Sequence, residues 1–390
     1  MTGWKEMPLS DVCAIFDGPH ATPKKQSQGI IFLGISSLNF GGRIDPAFFE
    51  YVSEDDYKKW TKRVTPQRND IVFSYETKLG TAGIIPDNFK CCLGRRMGLL
   101  RHNEKILPRF LLYSYLAPYF QNTITENTNT GSTVDRIALT ELPNFKISVP
   151  ELAEQQAIVK ILQSIDDKID LLHRQNATLE SMAEALFRQW FVVEAKEEWE
   201  TCSLHQLCCS VESGGTPKRN VPSYWNGTIP WLTSSEVRTK IILTTNEYIS
   251  EQGLENSAAK IWSQGTTVIA MYGATAGEVC YLARSVTANQ ACCGLIPLAH
   301  TRAFIYFYLC RNSLFLAEQA SGSAQQNLNK GTIADLSLFR PPKDVLLRFE
   351  KLAGTYIDKI VYNQTQIRTL EKLRDTLLPR LMSGEVRVKC

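Results

Sequence analysis

Residues 152–193 read LAEQQAIVKILQSIDDKIDLLHRQNATLESMAEALFRQWFVV, a stretch without a proline or a glycine. Within it a seam recurs in alternating steps of four and three: Ile158, Leu162, Ile165, Ile169, Leu172, Asn176, Leu179, Ala183, Leu186 and Trp190. A heptad seam sustained this long predicts a helix that packs on another helix, coiled-coil fashion, rather than one face of a globular core. At about 1.5 Å per residue the helix is roughly 60 Å long. Pro150 lies where helix starts favour proline.

The partner is found by sliding the sequence against itself. At an offset of 191 residues, 131–190 aligns without a gap to 322–381, with 12 identities in 60 positions. Ordinary composition gives roughly three or four. Gly131-Ser132 matches Gly322-Ser323, and Pro150 matches Pro341. Asp167-Lys168-Ile169 matches Asp358-Lys359-Ile360, and Thr178-Leu179-Glu180 matches Thr369-Leu370-Glu371. The seam repeats as Phe349, Ala353, Tyr356, Ile360, Asn363, Ile367, Leu370, Arg374, Leu377 and Leu381. Upstream the likeness is weaker: Trp4 and Leu9 answer Trp199 and Leu204, Thr22-Pro23 answers Thr216-Pro217, and Tyr75 with Gly80 answers Tyr272 with Gly277. The period is too long for a solenoid and reads as one domain-plus-helix unit written twice.

This predicts an α+β chain with a pseudo-two-fold internal repeat. Globular segments cover 1–151 and 196–342, long helices cover 152–195 and 343–383, and 384–390 is a tail beginning at Gly384. If the helices pack antiparallel about the middle of the seam, Asn176 meets Asn363. Asparagine on a heptad seam commonly sets register. The alternative is that each is solvated at a frayed edge.

In the globular segments Ile30–Ile35, Asp70–Ser74 and Thr267–Met271 read as strands. Pro108–Phe120 and Ala303–Leu316 read as aromatic helical stretches. The polar runs Thr123–Ser132 and Ser321–Lys330 read as loops, either plain connectors or carriers of side chains that contact phosphates and base edges.

Composition narrows the class. The 390 residues are 44 % hydrophobic and 21 % charged, with net charge +3, so bulk charge cannot hold this chain on nucleic acid. The net charge is +2 over 1–151, −4 over 152–198, +1 over 199–342 and +4 over 343–390. Any DNA contact therefore depends on local placement, in clusters such as Lys24-Lys25, Arg95-Arg96 and Lys218-Arg219 that otherwise are solvated surface, or on a basic partner. With no apolar signal region after Met1 and no apolar run of membrane-spanning length, a cytoplasmic protein is expected. Eleven cysteines, three pairs of them vicinal and none spaced Cys-x-x-Cys, read as free thiols that pack as small apolar side chains, with no metal site.

Enzyme signatures are missing. There is no phosphate-binding Gly-x-x-x-x-Gly-Lys loop, no Asn/Asp-Pro-Pro-Tyr/Phe methyltransferase sequence, no His-Glu-x-x-His and no Gly-x-Ser-x-Gly. Glu194-Ala-Lys196 matches a fragment common in nucleases, but three residues match by chance.

Duplicated variable segments alternating with repeated long helices resemble the DNA-specificity subunits of type I restriction–modification systems, over essentially the whole chain. The most specific pieces are Gly322-Ser323-Ala-Gln325-Gln326-Asn327-Leu328-Asn329, Leu336 to Pro341-Pro342, and Pro150-Glu-Leu-Ala-Glu154-Gln155-Gln156. Leu186-Phe187-Arg188-Gln-Trp190-Phe191 and the closing Leu378-Pro379-Arg380-Leu381-Met382-Ser383-Gly384 are also similar. The first half departs by carrying Gly131-Ser132-Thr-Val-Asp-Arg136-Ile137 in place of the Gln-Asn-Leu-Asn run, and the second helix lacks the Glu-Gln-Gln of the first.

The resemblance implies two globular target-recognition domains on two long antiparallel coiled-coil helices. It implies a non-catalytic chain without a cofactor of its own. Each domain would read one half of a bipartite, asymmetric duplex site while the helix pair sets the spacer. Partners would be modification subunits, two in number, which bring S-adenosylmethionine, and restriction subunits that translocate and cut; no membrane is involved. DNA-facing candidates in the first half are His20, Lys24, Lys25, Tyr75, Lys78, Thr130, Ser132 and Arg136. Those in the second are Lys218, Arg219, Tyr272, Thr275, Ser323, Gln325, Gln326, Asn327 and Asn329. Two alternatives stay open: a nuclease or methyltransferase with a divergent site, and a scaffold that binds something other than DNA.

Overall fold

The computed structural model describes residues 3–39, 41–129, 135–321 and 328–388. The chain divides into two compact units, residues 1–169 with 369–390, and residues 170–368. The first long helix, Leu152–Arg188, continues as a π turn over Gln189–Val193. The second runs Lys343–Phe349, a π turn over Glu350–Gly354, then Thr355–Met382. Among the described residues no helix is long and apolar enough to cross a membrane.

The first unit holds an antiparallel sheet in the order Cys13–Asp17, Met97–His102, Ile71–Ser74, Ala82–Ile84. A second sheet places Ile30–Leu33 between antiparallel Glu50–Val52 and parallel Cys91–Leu93. Lys5–Pro8 pairs with Lys146–Val149, which leads into the first long helix. The second unit repeats this plan. Cys208–Ser213, Cys292–Pro297, Thr267–Ala270 and Val279–Leu282 follow in the same order, with Ile241–Ile242 added in parallel at the edge. Trp225–Leu232 lies between antiparallel Glu247–Ile249 and parallel Thr287–Ala288, and Thr201–Ser203 pairs with Ser337–Phe339. The weak upstream likeness in sequence is thus a full duplication of strand order.

Ladder register corrects one match. The Tyr75 N–H donates to Arg96 O, whereas it is the Met271 N–H that donates to Ala291 O. Tyr75 therefore corresponds to Met271, not Tyr272. A slip of one residue turns a strand side chain to the opposite face, so Tyr75 is buried and Tyr272 is exposed.

In the second unit the long helices run antiparallel: Asn363 meets Asn176, and Phe349 meets Trp190. In the first unit Arg374 meets Asp166. Ile158, Leu162, Ile165, Ile169, Leu172, Asn176, Phe349, Ile360, Asn363 and Ile367 are buried. Leu179, Leu186, Tyr356, Leu370 and Leu377 are only half-buried, while Phe187 and Ile357 are buried instead. Two causes move the seam. A straight helix drifts about 20° per heptad, and the π turn at Glu350–Gly354 inserts an extra residue before Tyr356. The aromatic cluster Phe187, Phe191, Phe304 and Phe349 fills this end of the second unit, each buried ring contributing about 1.5–3 kcal/mol.

Each unit's aromatic helix is capped by a long helix. The Leu107 N–H, ahead of the helix Pro108–Leu116, donates to the buried Gln155 Oε1 at 2.8 Å. The Ala303 N–H, at the start of Arg302–Ser321, donates to Glu350 Oε2 at 2.8 Å. Helix N-termini leave backbone donors unsatisfied, and here a side chain from another element supplies the acceptor. Two sequence expectations change. Pro108–Phe120 is two helices, Pro108–Leu116 and Pro118–Glu126, because Ala117 before Pro118 is held extended. The polar run from Thr123 therefore begins as helix and continues as the short strand Thr128–Asn129.

Candidate nucleic-acid interface

In the first unit the chain leaves the strand Cys13–Asp17 through Gly18, whose N–H donates to Met97 O at 2.9 Å. A Cβ at Gly18 would stand 2.2 Å from that oxygen, so only glycine fits. Asp17 gathers the side chains that follow. Its carboxylate lies 2.6 Å from His20 Nε2 and accepts from Arg63 Nη1 at 3.0 Å and from Tyr75 OH at 3.0 Å. Burial, reinforced by the Asp17 hydrogen bond and charge, raises the Tyr75 pKa, so its phenol stays a donor. Lys24 is exposed, and Lys25 Nζ donates to Glu50 Oε1 at 2.5 Å.

A second cluster forms at the turn after Ile71–Ser74. Arg136, sixty residues away in sequence, is brought beside it by the Ile137 N–H donating to Tyr75 O at 2.9 Å and by a backbone bridge between Glu76 and Arg136. Lys78 and Arg136 are exposed there, and Arg96 pairs with Glu76 at 2.5 Å.

The second unit repeats the exit, with the Gly214 N–H donating to Cys292 O at 3.0 Å. The loop then carries Lys218 and Arg219 past two tryptophans. Trp225 Nε1 donates to Lys218 O at 3.2 Å, and the Arg219 guanidinium lies 3.8 Å from the Trp225 ring centre and 4.8 Å from that of Trp231. Trp231 is buried, with its Nε1 donating to Gly215 O at 3.0 Å. Arg219 also hydrogen-bonds Glu247 through Nη1, and through Nη2 at 3.3 Å. On the turn after Thr267–Ala270, Gly273 takes φ +73° and Arg238 Nη2 donates to Ala274 O at 2.6 Å. Asn329 Oδ1 caps the short helix Lys330–Ala334 by accepting the Thr332 N–H at 2.9 Å.

Two candidates need correcting: Tyr75 and Thr275 are 3 % and 8 % exposed, too buried to be free contacts in this conformation. Thr130, Ser132, Ser323, Gln325, Gln326 and Asn327 lie outside the described residues. His20, Lys24 and Lys25 share one loop, the strand carrying Arg136 lies beside the turn that carries Lys78, and Lys218 and Arg219 share the loop beside Trp225. The sequence reading missed Glu50, Glu247, Arg63, Arg238 and the two tryptophans. Glu50 and Glu247 each open the strand antiparallel to the one that follows the matched Thr-Pro, a relation visible only once strands are paired. The nuclease-like Glu194-Ala-Lys196 is spoken for by other partners: Glu194 accepts from Gln189 at 2.8 Å and Lys196 pairs with Glu198.

The family model for the type I restriction modification DNA specificity domain matches residues 1–181 and again 196–373. The chain belongs to that family. It is 24 % identical over 360 residues to the type I restriction enzyme MjaIX specificity subunit of Methanocaldococcus jannaschii, covering 87 % of this chain and 82 % of that one. It is also 24 % identical to the HindI specificity subunit of Haemophilus influenzae, covering 72 % and 78 %. A crystal structure of a type I restriction–modification S subunit from M. genitalium shares the fold at a TM-score of 0.63 and 15 % identity, covering 97 % of this chain and 96 % of that one.

As a member of this specificity family, the chain serves DNA sequence recognition. Its loops carry exposed ammonium groups at Lys24, Lys78 and Lys218 and a guanidinium stacked on an indole at Arg219.

Proposed function

We propose that residues 1–151 and 196–342 each read one half of a bipartite, asymmetric duplex site. The helix pair sets the spacer and docks two modification subunits, and a restriction subunit joins for cleavage. The chain itself acts without chemistry of its own. S-adenosylmethionine and the adenine-methylating centre are supplied by the modification subunits, and base flipping is their task.

The observation that carries this reading is the strand order written twice with different side chains at matching places. Lys25 faces Glu50 in one unit, and Arg219 faces Glu247 in the other. Two unlike readers on one chain suit two unlike half-sites. With so small a net charge, affinity rests on local contacts, and discrimination on a few base-edge hydrogen bonds worth about 1–3 kcal/mol for each bidentate pair. The reading is tested by sequencing the methylome of cells that express the chain with its modification subunit. A two-part asymmetric motif is expected. Exchange of residues 1–151 for another reader should change one half alone, and a motif unchanged in both halves would refute the modular reading.

A further inference from the structure

The Arg219 guanidinium is held by an aromatic face and a carboxylate. Its flat face rests on Trp225 at 3.8 Å, its Nη1 and Nη2 face the Glu247 carboxylate, and the Trp225 indole pins the loop through Lys218 O. Its side chain is nevertheless 55 % exposed. An end-on pair with a carboxylate uses one hydrogen on each terminal nitrogen. The Nε–Nη2 edge keeps two parallel N–H donors, and no hydrogen bond among the described residues occupies it. Two parallel donors fit the O6 and N7 acceptors of guanine in the major groove. A phosphate can accept the same two donors, but it carries no sequence information, so base preference separates the two contacts.

The repeat supplies an independent comparison. Lys25 and Arg219 both stand two residues after the matched Thr-Pro, and both meet the glutamate that opens the neighbouring strand, Glu50 or Glu247. The place is thus used twice. In the first unit it holds a point charge on a flexible stem, in the second a planar fork.

We propose that Arg219 reads a guanine in the half-site of the second recognition domain, with Glu247 and Trp225 as positioning residues that hold the plane of its guanidinium. The proposal rests on the DNA-reading function proposed above and adds the base and the side chain.

The test compares wild type with Arg219→Ala, Arg219→Lys and Glu247→Ala, each assembled with its modification subunit. It uses methylome sequencing and duplexes in which single base pairs of the wild-type motif are replaced. The half-site that persists when residues 1–151 are exchanged belongs to the second domain. In that half-site both Arg219 variants should lose guanine preference at one position, by roughly 10–100-fold. The first half-site should stay unchanged. Glu247→Ala should lower preference at that same position, a change that loss of general stability does not produce. Arg219→Lys, which keeps the charge, decides the matter if Arg219→Ala does not assemble. A loss uniform across all sequences, with a salt dependence lower by about one unit, would make Arg219 a phosphate contact and overturn the proposal. A second half-site without a G·C pair would also overturn it. Wild type that directs no two-part methylation would instead remove the underlying functional reading.

Discussion

Asn363 Nδ2 donates to Asn176 Oδ1 at 2.9 Å within the second unit, with both side chains buried in the seam of the antiparallel long helices. The pair adds little net stability, because a neutral hydrogen bond contributes about 1 kcal/mol once exchange with water is counted. Its larger effect is on alternatives. Sliding one helix past the other leaves each amide facing apolar neighbours, a cost that selects this register.

Asn363→Leu alone therefore leaves Asn176 buried without its partner and should lower stability by about 1–3 kcal/mol. The double variant Asn176→Leu with Asn363→Leu should recover most of that loss or exceed wild type. Urea unfolding of all four members of the cycle measures the coupling. Additive single effects would mean that the pair does not act as a unit.

The caps on the two aromatic helices differ in charge. Glu350 accepts the Ala303 N–H and also Arg302 Nε at 2.8 Å, while Arg302 reaches Asp358 at 2.7 Å. Gln155 does the same work without charge, accepting the Leu107 N–H and donating to Lys105 O and Pro150 O at 3.0 Å. Glu350→Ala should speed amide exchange at Ala303 by an amount that shrinks as salt is added. Gln155→Ala should speed it at Leu107 by an amount salt leaves alone. Exchange read by NMR or mass spectrometry at two salt concentrations checks both, each expected at about 1–3 kcal/mol.

The long helices were legible because a heptad seam is a local pattern that needs no knowledge of partners. Asn176 meeting Asn363 followed from arithmetic on the repeat. The π turn at Glu350–Gly354 was not legible, since no residue type marks it, and it moved burial from Tyr356 to Ile357. In the globular units, runs such as Ile71–Ser74 declared themselves as strands, but their order and register depend on pairing across tens of residues. Hence sequence alone aligns Tyr75 with Tyr272, whereas Tyr75 bonds Arg96 in its ladder as Met271 bonds Ala291 in the other, which makes Met271 its equivalent. The loops after the matched Thr-Pro pairs stand out in sequence as basic clusters. That Glu50 and Glu247 face them was not legible, because those glutamates lie 25 and 28 residues further along.

Asp166 gives a pH dependence of known sign. Burial raises its pKa, and the hydrogen bond from Tyr113 OH at 2.7 Å with the nearby charge of Arg374 only partly offsets that rise. The folded chain then binds its proton more tightly than the unfolded chain does. This contribution is fully present at pH below the ordinary value of 3.8 and is lost as pH rises through the raised folded value. Relative to Asp166→Asn, wild type should lose stability across that window and run parallel above it. Paired denaturation curves from pH 3.5 upward measure the difference, and a gap that widens in wild type's favour would contradict the assignment.

Thiol reactivity tests the burial of the paired cysteines. Cys91 and Cys92 lie on a strand inside the first unit, where burial pushes both thiols up to about 12. Cys13 and Cys293 are buried too and are likewise raised to about 12. Cys209 is exposed. Thiolate, not thiol, attacks alkylating reagents. A thiol with a pKa near 12 is ionised at neutral pH only to the extent of roughly one part in ten thousand or less, and these four also lack access. Brief treatment of the native chain with a maleimide at neutral pH should therefore modify Cys209 while sparing Cys13, Cys91, Cys92 and Cys293. All five should react in guanidinium. Peptide mass mapping distinguishes the sites. Modification of Cys91 or Cys92 at the rate of Cys209 would show that the sheet carrying them opens far more readily than its packing allows.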